Sequence, residues 1–99
     1  MYAVIGLWTM DPALQDRQER ELRERIVPRV AKAPGFVRGE WAREVDGHRS
    51  TSVIAFDDKF SAREFINAVR ANAEPQRTAG VGNDELLLVE LVAETQRHG

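Results

Sequence analysis

The stretch "APGFVRGEWAREVDGHRSTSVIAFDD", Ala33 to Asp58, decides the fold. Pro34-Gly35 is one turn signal and Asp46-Gly47 a second. The runs on either side of Asp46-Gly47, residues 36–45 and 49–56, are rich in β-branched and aromatic residues, so the stretch reads as a hairpin. A two-residue turn with positive φ at Asp46 and Gly47 would set Val45 opposite His48 and Glu44 opposite Arg49. It would also set Trp41 opposite Ser52 and Val37 opposite Phe56. A longer loop would shift this register by one.

Upstream, residues 2–9 read as a strand that is apolar on both faces: Ala3, Ile5 and Leu7 on one, Tyr2, Val4 and Trp8 on the other. Such a strand is covered on both sides. Asp11-Pro12 reads as an N-cap with proline at the first helical position. The charged helix that follows carries one apolar stripe, Leu22, Ile26, Val30 and Ala33. Glu19 with Arg23 and Glu21 with Arg25 are favourable (i, i+4) pairs on a solvated face. Pro28 cannot donate to the carbonyl of Glu24, so a kink or break is expected there.

Downstream, Ser61-Ala62-Arg63-Glu64 matches a capping box, with Phe60 and Phe65 placed to form a hydrophobic staple. The buried stripe of this second helix is Ala62, Phe65, Ile66, Val69 and Ala73, and Pro75 limits its end. Residues 75–84 read as a loop. The run "ELLLVELVAET", residues 85–95, has helical composition but completes the pattern as a strand. Eleven residues would span about 36 Å at roughly 3.3 Å each. Residues 1–95 form one domain, and 96–99 a frayed tail.

The totals exclude several classes. Ninety-nine residues make one domain, small enough that oligomerisation is a natural second layer of burial. A net charge of −2 argues against nucleic acid. The absence of cysteine removes disulfides, thiolate metal sites and cysteine nucleophiles, and fits a reducing cytoplasm. No apolar run approaches the roughly 18 residues of a membrane helix, and the N-terminus lacks the basic region of a signal peptide. Arginine outnumbers lysine 12 to 2, as in chains encoded by GC-rich bacterial genomes.

The order β-α-β-β-α-β is ferredoxin-like: a four-stranded antiparallel sheet with two helices on one face. Pro34-Gly35-Phe36 directly after the first helix, and Phe56-Asp57-Asp58 leading into the Ser61 helix, narrow it. In these features the chain resembles the antibiotic-biosynthesis monooxygenase-like group of the dimeric α+β barrel superfamily. The resemblance implies a homodimeric barrel, in which the free sheet face packs on that of a second chain. It also implies activities that range from cofactor-free oxygenation of aromatic polyketides to haem degradation, lactone isomerisation and effector binding.

Few residues carry over from the resemblance. The haem-degrading members use an asparagine on the first strand and a histidine on the second helix. Here the first strand offers Gly6, Leu7 and Trp8, and the second helix has no histidine, which disfavours haem degradation. The group's tryptophan at the end of strand three is replaced by Phe56, and its early helix-two histidine falls among Phe65, Ile66 and Asn67.

His48 lies at a hairpin turn and His98 in the tail, so no histidine triad or multi-histidine metal site can be assembled. No catalytic residue, cofactor or metal ligand is assigned. Trp8 and Trp41 are either core residues or walls of a small-molecule pocket. In the second reading a small aromatic ligand lies between sheet and helices, lined by Tyr2, Trp8, Trp41 and Phe65. Arg38, Arg43 or Ser52 would supply polar groups, although Arg38 and Arg43 lie on opposite faces of their strand. The expected partners are a second copy of the chain and that ligand, with no nucleic acid and no membrane.

Overall fold

The computed structural model describes residues 1–97; the expected tail residue His98 lies outside them. The chain runs β1 (Tyr2–Met10), a 3-10 turn (Pro12–Leu14), α1 (Gln15–Glu21), a π turn (Leu22–Ile26) and α2 (Val27–Ala31). It continues through β2 (Phe36–Arg43), β3 (Arg49–Phe56), α3 (Lys59–Ala71), α4 (Ala73–Thr78) and β4 (Val81–Glu90). The strands form one antiparallel sheet in the order β2-β3-β1-β4. This is the expected ferredoxin-like arrangement.

The register separates the two faces. Val4 pairs with Ile54 and Leu88, and Tyr2 pairs with Phe56. Val30 from α2 and Ala62 and Ile66 from α3 join Val4, Ile54 and Phe56 in the buried core. The helices therefore cover the face that carries Tyr2, Val4, Gly6 and Trp8. Phe65 packs its ring on Phe56 at 5.3 Å between centroids, tilted by 44°. The opposite face holds Ala3, Ile5 and Leu7 with Val53 and Leu87, of which Val53 is 39% and Leu87 40% exposed. Both faces of β1 are apolar, and the second is open over much of its length.

Four local expectations change. Pro28 does not end the first helical rod. The turn before it widens instead, and Val27 N–H bonds back to the Leu22 carbonyl. A π turn inserts one residue into the helical count and shifts the phase of all that follows. Val30 is consequently buried while Ile26 lies 41% exposed, off the predicted stripe.

The capping box is also displaced. Asp58, not Ser61, caps α3: its carboxylate accepts from the Ser61 backbone N–H at 2.7 Å and from the Ser61 hydroxyl at 3.0 Å. The helix therefore begins at Lys59, one turn early. Phe60 becomes a first-turn residue, 72% exposed, and makes no staple.

In the hairpin, Trp41 does pair with Ser52, and Glu44 N–H donates to the Arg49 carbonyl at 2.8 Å. Phe36, however, opposes Phe56, because the register shifts between Phe36 and Arg38 and leaves Val37 as the extra residue. The turn is longer than two residues, Val45 lies outside the strand, and Gly47 does not have positive φ.

Finally, β4 begins at Val81 and ends at Glu90, so residues 91–95 are not strand. The segment read as a loop, 75–84, instead holds the end of α4 and the start of β4, with Pro75 in the first turn of α4, where a missing N–H costs nothing.

Gly35 accounts for the proline-glycine-phenylalanine signature in physical terms. Its φ is +76°, and a Cβ there would lie 2.6 Å from Ser61 Oγ. Its carbonyl accepts from Asp57 N–H at 2.8 Å. The turn into β2 is thus pressed against the capped start of α3, a place only glycine fits.

Candidate functional site around Trp8, Ser52 and Trp41

Two neighbouring rows cross the helix-covered face at its upper end. One runs Trp41, Ser52, Gly6, Leu86, and the next Arg43, Ser50, Trp8, Asn83. Trp8 leans back along β1 and donates its indole N–H to Ser52 Oγ at 3.1 Å. It lies over Gly6, where a Cβ would stand 2.5 Å from Trp8 Nε1 and 2.7 Å from Ser52 Oγ. Trp41 does the same on β2: a Cβ at Gly39 would meet Trp41 Cη2 and Ile54 Cδ1, each at 3.0 Å. Each indole therefore rests on the glycine two residues before it. The sequence signal for this is Gly-x-Trp, which occurs as Gly6-Leu7-Trp8 and again as Gly39-Glu40-Trp41. The glycines were not among the predicted site residues.

The first helical rod is tied down over this end of the sheet from both edges. Gln18 of α1 donates through Nε2 to the carbonyls of Ala79 at 2.9 Å and Gly80 at 3.2 Å, just before β4. Its neighbour Glu19 forms an ion pair with Arg43 of β2, so the (i, i+4) partner Arg23 is not used. The predicted pair Glu21 with Arg25 does form, at 3.0 Å. Gln18 is buried, and its Oε1 has no partner among the described residues. Both donor bonds of the amide are directed at carbonyls, so the free atom is an acceptor, open to a water or a ligand donor.

The predicted pocket residues therefore divide. Trp8, Trp41, Ser52 and Arg43 come together. Ser52 is buried and the two indoles are half-buried. Tyr2 lies six residues along β1 from Trp8, opposite Phe56, at the core end with Phe65. Arg38 pairs with Ala55 and stands on the open face, so it cannot join them. Two surface recesses are not walled by the indoles. One, of about 230 Å³, is bounded by Val69, Ala73, Gln76, Gly82 and Asn83. Another, of about 480 Å³, follows the outer side of residues 12–20.

The set offers aromatic surface, one hydroxyl and one free acceptor. It offers no acid–base pair, since His48 is exposed at the hairpin turn. Among the described residues no three His, Asp or Glu side chains come together, and no helix is long and apolar enough to cross a membrane.

No protein-family model matches the chain, and no curated protein matches it by sequence. Solved structures do match in shape. A Deinococcus radiodurans protein with an unproven assignment as an antibiotic biosynthesis monooxygenase aligns over 100% of both chains, with 10% identity and a TM-score of 0.78. The heme-degrader MhuD of Mycobacterium tuberculosis, with two hemes bound in its active site, aligns over 97% of this chain and 100% of its own, at 20% identity and a TM-score of 0.76. SnoaB, a cofactor-independent oxygenase of Streptomyces nogalater, solved as a point mutant, aligns over 96% of this chain and 94% of its own, at 19% identity and a TM-score of 0.66. At these identities the likeness is one of fold. The chain thus has the ferredoxin-like α+β fold that these solved structures share.

Proposed function

We propose that this protein is a small-molecule-binding protein that works as a cytoplasmic homodimer, and that it oxygenates an aromatic or polycyclic substrate without a cofactor. The observation that carries the reading is the pairing of Trp8 and Trp41 on glycine seats about a buried Ser52. Two broad π faces with one fixed polar group suit a planar ligand, since apolar surface supplies affinity and a few placed polar atoms supply orientation. The substrate must displace or slide along the indoles, because they fill the space above Gly6 and Gly39.

In this reading the chain's residues bind, orient and exclude water. Ser52 Oγ already accepts the Trp8 N–H and keeps its own proton for a ligand carbonyl. The electrons for oxygen come from the substrate: one oxygen atom enters the product and the other leaves as water. The lack of an acid–base pair at the indoles favours a second reading, a binding module that does no chemistry.

One titration separates these readings. Tryptophan fluorescence is followed as tricyclic phenols and quinones are added, and oxygen uptake is then measured with whatever binds. Quenching with uptake supports the oxygenase; quenching without uptake supports the binding module. If no planar aromatic ligand quenches either indole, the site assignment is wrong.

The dimer is proposed from the open face, where Ile5, Leu7, Val53 and Leu87 present apolar surface that the helices do not cover.

A further inference from the structure

The open face is not uniformly open. Ala3 is 0% and Ala55 1% exposed, although both sit on the side away from the helices. On the same face Val53 and Leu87, with larger side chains, are 39% and 40% exposed. Small side chains on a bare sheet stay partly wet, so something lies over the alanine end. The chain after β4 is placed to cover it. Leu91 N–H donates to the Met1 carbonyl at 2.9 Å, which holds the start of this segment beside β1. Three residues later Glu94 bonds Arg38 at 3.2 Å, and Arg38 belongs to β2, the opposite edge of the sheet. Edge to edge is three strand spacings, about 14 Å at roughly 4.8 Å each. Four extended residues reach about 13 Å, and the long side chains of Glu94 and Arg38 supply the rest of the crossing. Arg38 pairs with Ala55, so the crossing is on the open face.

We infer that residues 91–97 are a strap, held across the chain's own sheet, which must lift before a second copy can cover that face. The strap is built to be displaced. Its ion pair is half-exposed at both ends, 47% and 58%, and such pairs shift an equilibrium by only a few-fold. Val92 is 91% exposed and adds nothing to the hold. The remaining apolar patch, Ile5, Leu7, Val53 and Leu87, stays free for first contact.

The inference rests on the homodimer proposed above, and one experiment tests the two separately. The chain has no cysteine, so Arg38→Cys with Glu94→Cys gives two unique labelling sites in the full chain. Treatment with a short bismaleimide should give a product of monomer mass. Light scattering across a concentration series should then show the uncrosslinked variant dimerising and the crosslinked one dimerising about tenfold more weakly or not at all. A crosslinked product of dimer mass would show that the strap belongs to the partner and overturn the inference. Equal dimerisation with and without the crosslink would overturn it too. An uncrosslinked and a wild-type chain that both remain monomeric would overturn the dimer itself. As a second measurement, Arg38→Glu or Glu94→Arg alone should strengthen dimerisation a few-fold, and the double reversal should restore it. Weakening by either single change contradicts the strap.

Discussion

Trp8 and Ser52 are joined from β1 to β3 by an indole N–H donated to the serine Oγ at 3.1 Å, directly over Gly6. The bond holds one indole over Gly6 and leaves the Ser52 proton available. Ser52→Ala would strand the N–H in a half-buried place, at a cost of about 1 kcal/mol. Chemical denaturation of the variant checks this. With Trp8→Phe in the background the cost should largely vanish, because the donor is gone.

Gly6→Ala tests the seat itself. The new methyl would fall within 2.7 Å of both Nε1 of Trp8 and Oγ of Ser52, so the indole must move. Overpacking of this kind costs about 1–3 kcal/mol. The expected result is a lower unfolding midpoint with a red-shifted tryptophan emission. A wild-type spectrum would mean that Trp8 does not lie on Gly6.

Asp58→Ala should remove the α3 cap and cost about 0.5–2 kcal/mol. Ser61→Ala should cost less, since the Ser61 backbone N–H still meets the Asp58 carboxylate. Equal or reversed losses in thermal unfolding would return the cap to Ser61.

Trp41→Phe separates packing from binding. Trp41 packs at the rim of the core cluster and is only half-buried, so the smaller ring should cost about 1 kcal/mol, below the range for truncating a buried aromatic to alanine. Affinity for a planar aromatic ligand should fall more than stability does. Unfolding with and without ligand measures both; an unchanged ligand-induced shift would remove Trp41 from the site.

Light scattering of the wild type at micromolar concentration should give about twice the chain mass, because the free sheet face is apolar. A well-folded monomer at all concentrations would overturn the homodimer.

The strand and helix pattern and the apolar faces of β1 were legible in the sequence. They follow from local periodicity and turn chemistry, which each short segment carries by itself. The misreadings share a cause. Ser61 and Asp58 are both good caps; Asp58 takes the role, with the Ser61 hydroxyl bonded to its carboxylate. Ile26 left its stripe because a π turn precedes Pro28 and shifts the phase of the rod. Trp41 could face either layer by its sequence; its register with Ser52 put it beneath the helices. The union of Trp8, Ser52 and Trp41, the placing of Arg38 on the far face and the return of residues 91–94 across it join residues far apart in the chain. Periodicity reads only a few residues at a time. Contacts between distant segments depend on which alternative buries more surface and leaves fewer polar groups unpaired, and only the assembled sheet settles that.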